Sequence, residues 1–182
     1  MTTHIALIRG INVGTSKRVP MAALREMLSG LGYSDVRTHL NSGNAVFGSD
    51  DSPAQVAAAI EKGLADDLKV PAQVVVRSRD QLIAAIAADP LTADTSDGSR
   101  HFLGFLRATP KPAAVTDIPE LADDADNAPD EVRLVGDHLY LWCPNGSLKA
   151  TFSKVNWDKR LGTAVTVRNW NTATKLAEIA AD

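Results

Sequence analysis

The sequence predicts an α+β fold built from two successive split β-α-β units with antiparallel sheets, and three observations carry that expectation. Strand-like apolar runs and helical apolar faces alternate through the first half in the order β-α-β-β-α-β. A matching order can be read through the second half. Leu7-Ile8-Arg9 is echoed by Phe105-Leu106-Arg107 at the end of each half's first strand.

Ile5 to Arg9 reads as a strand that stops at Gly10. Pro20 suits the first turn of a helix, where a missing amide costs nothing, and Met21, Leu24, Leu28 and Leu31 fall on one face before Gly32 ends it. Val36 to Asn41 and Ala45 to Gly48 are short strands joined through Ser42-Gly43. Ser52-Pro53 opens a second helix with Val56, Ile60, Leu64 and Leu68 on one face, and Pro71 closes it. Gln73 to Arg77 is a β-branched strand, after which Ser78-Arg79-Asp80-Gln81 has the form of a capping box opening a helix to Ala88.

In the second half, Phe102 to Arg107 is a strand and Ile118 to Asp124 a short helix. Val132 to Val135 and Leu139 to Cys143 form a hairpin about Gly136-Asp137. Phe152 to Leu161 is a helix, Ala164 to Arg168 a strand, and Thr172 to Ala181 the last helix. This order is that of the ferredoxin-like unit, used twice, with lobes expected at residues 1–90 and 91–182. Ile5-Ala6-Leu7-Ile8 and Phe102 to Leu106 are apolar on both faces, so the second face of each sheet is expected to be covered, most simply by the other lobe.

With 182 residues, 45% of them hydrophobic, the chain can bury a sizeable core. A net charge of −3 argues against coating nucleic acid or an anionic membrane through bulk charge. The charge is uneven, however: residues 1–49 hold five Lys/Arg and two acids, and residues 145–175 hold six and one. Asp117 to Glu131, with seven acids and no base, reads as a solvated loop. The single Cys143 excludes an internal disulfide and a multi-cysteine metal site, and no 18-residue apolar stretch is present. The expectation is a soluble cytoplasmic protein without cofactor or metal.

Three segments interrupt this pattern with Asn beside Arg or Gly: Arg9-Gly10-Ile11-Asn12-Val13-Gly14, Asn41-Ser42-Gly43-Asn44 and Arg168-Asn169-Trp170-Asn171. Such residues either close turns or form a polar site. With strand order 4-1-3-2, the loop after Arg9 and the hairpin Asn41 to Asn44 emerge at one sheet edge, which gathers Arg9, Asn12, Lys17, Arg18, Asn41 and Asn44. Arg168 ends the last strand at the opposite edge of its own sheet, and it joins the first group only if a pseudo-twofold axis relates the lobes.

Gly10 to Lys17 lacks the spacing of a G-x-x-x-x-G-K-[ST] phosphate loop, and Arg18 stands where that motif needs a hydroxyl. Generic anion binding and a merely structured loop remain. Asn41 to Asn44 is a tight turn that can also face a ligand, and Asn171 or Thr172 suits the cap of the last helix. His138, Tyr140 and Trp142 alternate on one strand face, readable as an RNA-stacking platform or as buried packing. The four histidines lack metal spacing, and no nucleophile, base and orienting group assemble. Catalytic residues therefore stay unassigned. The ligand-binding candidates are Arg9, Asn12, Asn44, Arg168 and Asn169, facing a small anionic or phosphorylated ligand; a nucleic-acid module and a protein-interaction module are the alternatives.

Arg-Gly-Ile-Asn-Val-Gly at 9–14, Val19-Pro20-Met21, Ser42-Gly43-Asn44 and Arg168-Asn169-Trp170-Asn171-Thr172 occur in that order. With these motifs the chain resembles, over essentially its full length, the bacterial family called domain of unknown function 1697. The resemblance implies a duplicated ferredoxin-like fold and transfers no catalytic residue. Two departures set the chain apart: Thr15 stands where the family usually has a second glycine, and Thr166-Val167 where it usually has a Thr-Thr pair.

Overall fold

The structure is a computed structural model that describes residues 1–15, 17–116, 118–121 and 127–181. The chain divides into two compact units, Met1–Ala84 with Lys175–Asp182, and Ala85–Thr174. No helix among the described residues is long and apolar enough to cross a membrane.

The first unit runs β1 (Thr2–Ile8), α1 (Met21–Gly30), β2 (Ser34–His39), β3 (Asn44–Ser49), α2 (Pro53–Asp66) and β4 (Val74–Ser78), with α3 (Arg79–Ala87) starting directly after it. Its four strands form one antiparallel sheet in the order β2-β3-β1-β4. Alternation along the strands sends Ala6, Ile8, Ala45, Phe47, Val74 and Val76 to one face. There they pack with Leu24, Met27 and Leu28 of α1 and Val56, Ile60 and Leu64 of α2. Burying such side chains is worth roughly 1.5–3 kcal/mol each, which makes this face the main source of the unit's stability.

The expected helices form with small shifts at their ends. Leu31 becomes the C-cap of α1 and stays exposed, while Met27 takes a buried place on the apolar face. In α2, Ser52 and Gln55 complete a reciprocal capping box, and Leu68 lies beyond the helix end, half-buried. The box expected at Ser78 and Gln81 is present: the Gln81 amide donates to Ser78 Oγ at 3.2 Å and the Ser78 amide to Gln81 Oε1 at 2.8 Å.

The second unit runs β5 (His101–Leu106), α4 (Pro112–Thr116), a 3-10 turn at Pro119–Leu121, β6 (Glu131–Val135), β7 (His138–Trp142), a 3-10 turn at Ser147–Lys149, α5 (Trp157–Leu161), β8 (Val165–Asn169) and α6 (Trp170–Ile179). Its antiparallel sheet has the order β6-β7-β5-β8, the same split β-α-β arrangement. Leu106, Val132, Leu139, Leu141, Val165, Phe152 and Leu161 share its core.

Two expectations change here, and one short helix is new. The helix placed over Phe152 to Leu161 begins only at Trp157, because the Asn156 side chain accepts from the Lys159 amide and sets the N-terminus there. The short helix placed over Ile118 to Asp124 is a 3-10 turn over Pro119–Leu121, and residues 122–124 of that reading lie outside the described residues. Helix α4 has five residues, too few to print a 3.6-residue apolar pattern on the sequence.

The echo between the halves is realised bond by bond. Ile8 pairs with Val74, and Leu106 with Val165. The Arg9 amide donates to the Gln73 carbonyl and the Arg107 amide to the Ala164 carbonyl, both at 2.9 Å. The Ile8 amide donates to Gly43 and the Leu106 amide to Asp137, at 2.7 and 3.0 Å. Each unit therefore repeats the register of the other around its central strand, while the register shift between Ser34 and Arg37 in the β2–β3 pair has no counterpart in β6–β7.

Candidate functional site

The edge gathered by the first unit is built on the loop that follows β1. Ile11, 1% exposed, anchors the loop in the core beneath it. Asn12 then turns the backbone at φ +56° and spends its side chain on closure. Its Nδ2 donates to the carbonyls of Val19 and Asn41 at 2.8 Å each, and its Oδ1 accepts from the Val19 amide at 2.8 Å. The Asn41 contact ties the β1–α1 loop to the β2–β3 turn across 29 residues of sequence, the neighbourhood expected from the strand order.

Gly43 is the close-approach point of that junction. A Cβ there would sit 2.9 Å from the Ile8 carbonyl oxygen and 3.0 Å from the Ile11 side chain, and φ is +82°. Asn44 is fully buried, and its Nδ2 donates to the His39 carbonyl and to Ser42 Oγ at 3.0 Å each. Both Asn12 and Asn44 have their two amide protons committed to the unit's own framework.

The cations lie around this framework. Half-buried Arg9 donates from Nη1 to Gln73 Oε1 at 3.1 Å, so the residue just before β4 helps orient it. Arg9, Gly10, Lys17, Glu61, Pro71, Ala72 and Gln73 line an open depression of about 590 Å³. On the other side of the loop, Asn12, Arg18, Val19, Pro20, Met21 and Asn41 line a smaller one of about 280 Å³. Lys17 and Arg18 are exposed, and Lys17 is itself left-handed at φ +51°. Glu61 supplies a carboxylate whose Oε1 accepts the Val74 amide at 2.9 Å.

Arg168 and Asn169 belong to the second unit. Asn169 Oδ1 accepts the Thr172 amide at 2.9 Å, so this residue, rather than Asn171 or Thr172, caps α6. Arg168 donates from Nη1 to Thr166 Oγ1 at 3.0 Å and to the Val167 carbonyl at 2.9 Å. Burial pulls its guanidinium down to about 10, which leaves it fully charged at neutral pH. Trp170 stacks on the buried His101 with ring centroids 3.8 Å apart. His101 Nε2 lies 3.3 Å from Asp89 Oδ2; burial holds its pKa below the ordinary value, and the carboxylate partly offsets that.

The remaining sequence motifs are interior features. His138 and Tyr140 are buried and Trp142 half-buried; the Tyr140 hydroxyl donates to the Ala85 carbonyl at 2.7 Å, and burial pushes its pKa up to about 12. The buried Cys143 thiol is pushed up to about 11, principally by burial, which suits packing and not nucleophilic attack. Among the described residues no group of three His, Cys, Asp or Glu could hold a metal ion.

The sequence reading does not single out Arg77 or Gln73. Arg77 was visible in principle, because Val74-Val75-Val76-Arg77-Ser78 repeats the form of Val165-Thr166-Val167-Arg168-Asn169. Gln73 carries no such signal; the bonds of its carbonyl and its side-chain oxygen with Arg9 bring it to the site.

Comparison with known proteins agrees with this architecture. A conserved bacterial protein from Streptococcus pneumoniae has a solved structure that matches with a TM-score of 0.72 at 26% identity, covering 98% of each chain. No curated protein matches the sequence. The family model described as "Protein of unknown function (DUF1697)" matches residues 1–140, a span that holds the Arg9 loop, the Asn41 turn and Gln73 but ends before Arg168. The chain belongs to the DUF1697 family.

Proposed function

We propose that the protein is a cytosolic binding protein for a small anionic or phosphorylated ligand, taken at the edge of the first unit. The observation that carries this reading is the depression of about 590 Å³ where Arg9 and Lys17 flank Gly10. Its size falls within the roughly 300–1,000 Å³ typical of small-molecule sites. Two cations against the single carboxylate of Glu61 leave the lining net positive. In this reading Asn12 and Asn44 hold the loop that presents the charges, since their amide protons are already bound.

A second reading, with the motifs as framework of a protein-interaction module, is favoured by the same commitment of Asn12, Asn44 and Asn169 to backbone groups. A thermal-shift screen against nucleotides, sugar phosphates and carboxylates separates the two. A true ligand raises the melting temperature of the wild type, and at the same ligand concentration the gain shrinks when Arg9 and Lys17 are both changed to Gln. No gain from any anion would remove the ligand reading and leave the second.

A further inference from the structure

The backbone of the β1–α1 loop alternates in a way that neither helix nor strand requires. Gly10, Asn12 and Gly14 have φ of +67°, +56° and +62°, while Ile11 and Val13 between them remain on the negative side. Alternation of φ sign is found in nests, concavities of main-chain N–H groups that attract anions. Among the described residues, the Asn12 amide is taken by the Lys17 carbonyl at 3.0 Å, whereas those of Gly10, Ile11, Val13, Gly14 and Thr15 donate to no protein group.

Ile11 makes this more than a description of an exposed turn. The residue is 1% exposed, so its amide meets almost no solvent, and buried amides without a partner are rare in folded proteins. The glycines add a second point. A Cβ at Gly10 or Gly14 would meet nothing within 4 Å, so clearance from the rest of the fold is not what demands glycine there. What glycine supplies is the left-handed backbone and an open approach to the amides. The loop is also held before any ligand arrives, by Ile11 in the core and by Asn12 bonded to Val19 and Asn41. Preorganised amides cost little to reorient when charge arrives.

From these observations we infer that the loop Gly10–Thr15 is an oxyanion site, in which backbone amides, together with Arg9 and Lys17, take the tetrahedral anionic group of the ligand. The inference rests on the anion-binding reading above and narrows it to the phosphate class, held mainly by main-chain donors. Arg9 and Lys17 supply charge at the rim, while the amides supply direction. Free phosphate and a phosphate ester present the same group to the nest.

The test is a titration of the full ¹⁵N-labelled chain followed by amide NMR, with inorganic phosphate in one arm, glycerol 3-phosphate in a second and acetate in a third. Saturable downfield shifts of the Ile11, Val13 and Gly14 amide protons in a phosphate arm, with Gly136 and Gly162 unmoved, are expected. Tighter binding in the second arm would identify an organic phosphate as the source. The Arg9→Gln Lys17→Gln variant should weaken binding at least tenfold while the loop amides still shift at saturation. Shifts confined to the Arg9 and Lys17 amides, with those of Ile11, Val13 and Gly14 unmoved, would overturn the inference and leave the anion-binding reading standing. So would acetate moving the loop amides as strongly as phosphate. Absence of saturable change in all three arms would overturn both.

Discussion

Arg77 and Arg168 occupy the same register position in two different sheets. Arg77 lies opposite Ile5 and Arg168 opposite Leu103. Each guanidinium donates to the carbonyl of the residue before it, at 3.1 Å for Val76 and 2.9 Å for Val167. Each is followed by a residue whose side chain caps the next helix, Ser78 for α3 and Asn169 for α6. The correspondence extends across both sheets, in the rows Arg37, Val46, Ile5, Arg77 and Arg133, Tyr140, Leu103, Arg168.

This equivalence predicts equivalent mutational behaviour. Arg77→Ala and Arg168→Ala should each lower unfolding free energy by about 2 kcal/mol or more, through lost packing of the stem and lost hydrogen bonds. Methionine at either position should recover more than half of that, since it keeps the apolar stem and removes a charge from a desolvated place. Urea unfolding of the four variants checks it. A costly change at Arg77 beside a neutral one at Arg168 would reduce the equivalence to topology alone.

Gly43 and Gly10 give a contrast between steric and conformational need. Both have positive φ, but a Cβ at Gly43 meets the Ile8 carbonyl oxygen at 2.9 Å, whereas one at Gly10 meets nothing within 4 Å. Gly10→Ala should therefore cost only the left-handed penalty of roughly 1–2 kcal/mol. Gly43→Ala should cost more, because the junction between the β1–α1 loop and the β2–β3 turn must also open. The midpoint of thermal unfolding measures both, at roughly 2–4 °C per kcal/mol for a chain of this size.

These comparisons show what the sequence could carry. Strand and helix periodicities are written in side-chain identity, so the strands and sheet order of both units and the helices of the first are legible, whereas the five-residue α4 is not. Gly43 is legible as a turn, but its clash with Ile8 is not, because the clash is with backbone. The role of Asn12 is hidden for the same reason: its partners are the carbonyls of Val19 and Asn41 and the Val19 amide, groups every sequence possesses. The late start of α5 is half-legible, since Asn156 is a good cap but the apolar residues before it, Phe152 and Val155, continue a helix-like spacing. Arg168 reads as a functional oddity until Arg77 is set beside it.

The capping assignment gives a third prediction. Asn169→Ala should destabilise by about 1 kcal/mol, while Asn169→Asp or Asn169→Ser should stay within a few tenths of the wild type, because each retains an acceptor for the Thr172 amide. Asn171→Ala should be close to neutral, since Asn171 is exposed and its neighbour's amide is served by Asn169. Amide exchange across α6 reports the effect locally: faster exchange of Thr172 in Asn169→Ala, with Asn171→Ala unchanged, is the expected pattern.

The buried histidines set the pH dependence of stability near neutrality. His4 and His101 are each 1% exposed, and burial lowers both pKa values below the ordinary 6.5. Above 6.5 both rings are neutral in the folded and unfolded chains, and their contribution to stability is fully present. As pH falls below 6.5 the unfolded chain binds protons first, so stability is lost until the folded-state values are reached. Asp50, Asp66 and Asp97, held below 3.8 mainly by hydrogen bonds to their partners, titrate beneath this window. The urea midpoint should accordingly fall between pH 7.5 and pH 5.5. His101→Gln should flatten the fall without abolishing it, because His4 still titrates, and a fall unchanged by that substitution would assign the effect elsewhere.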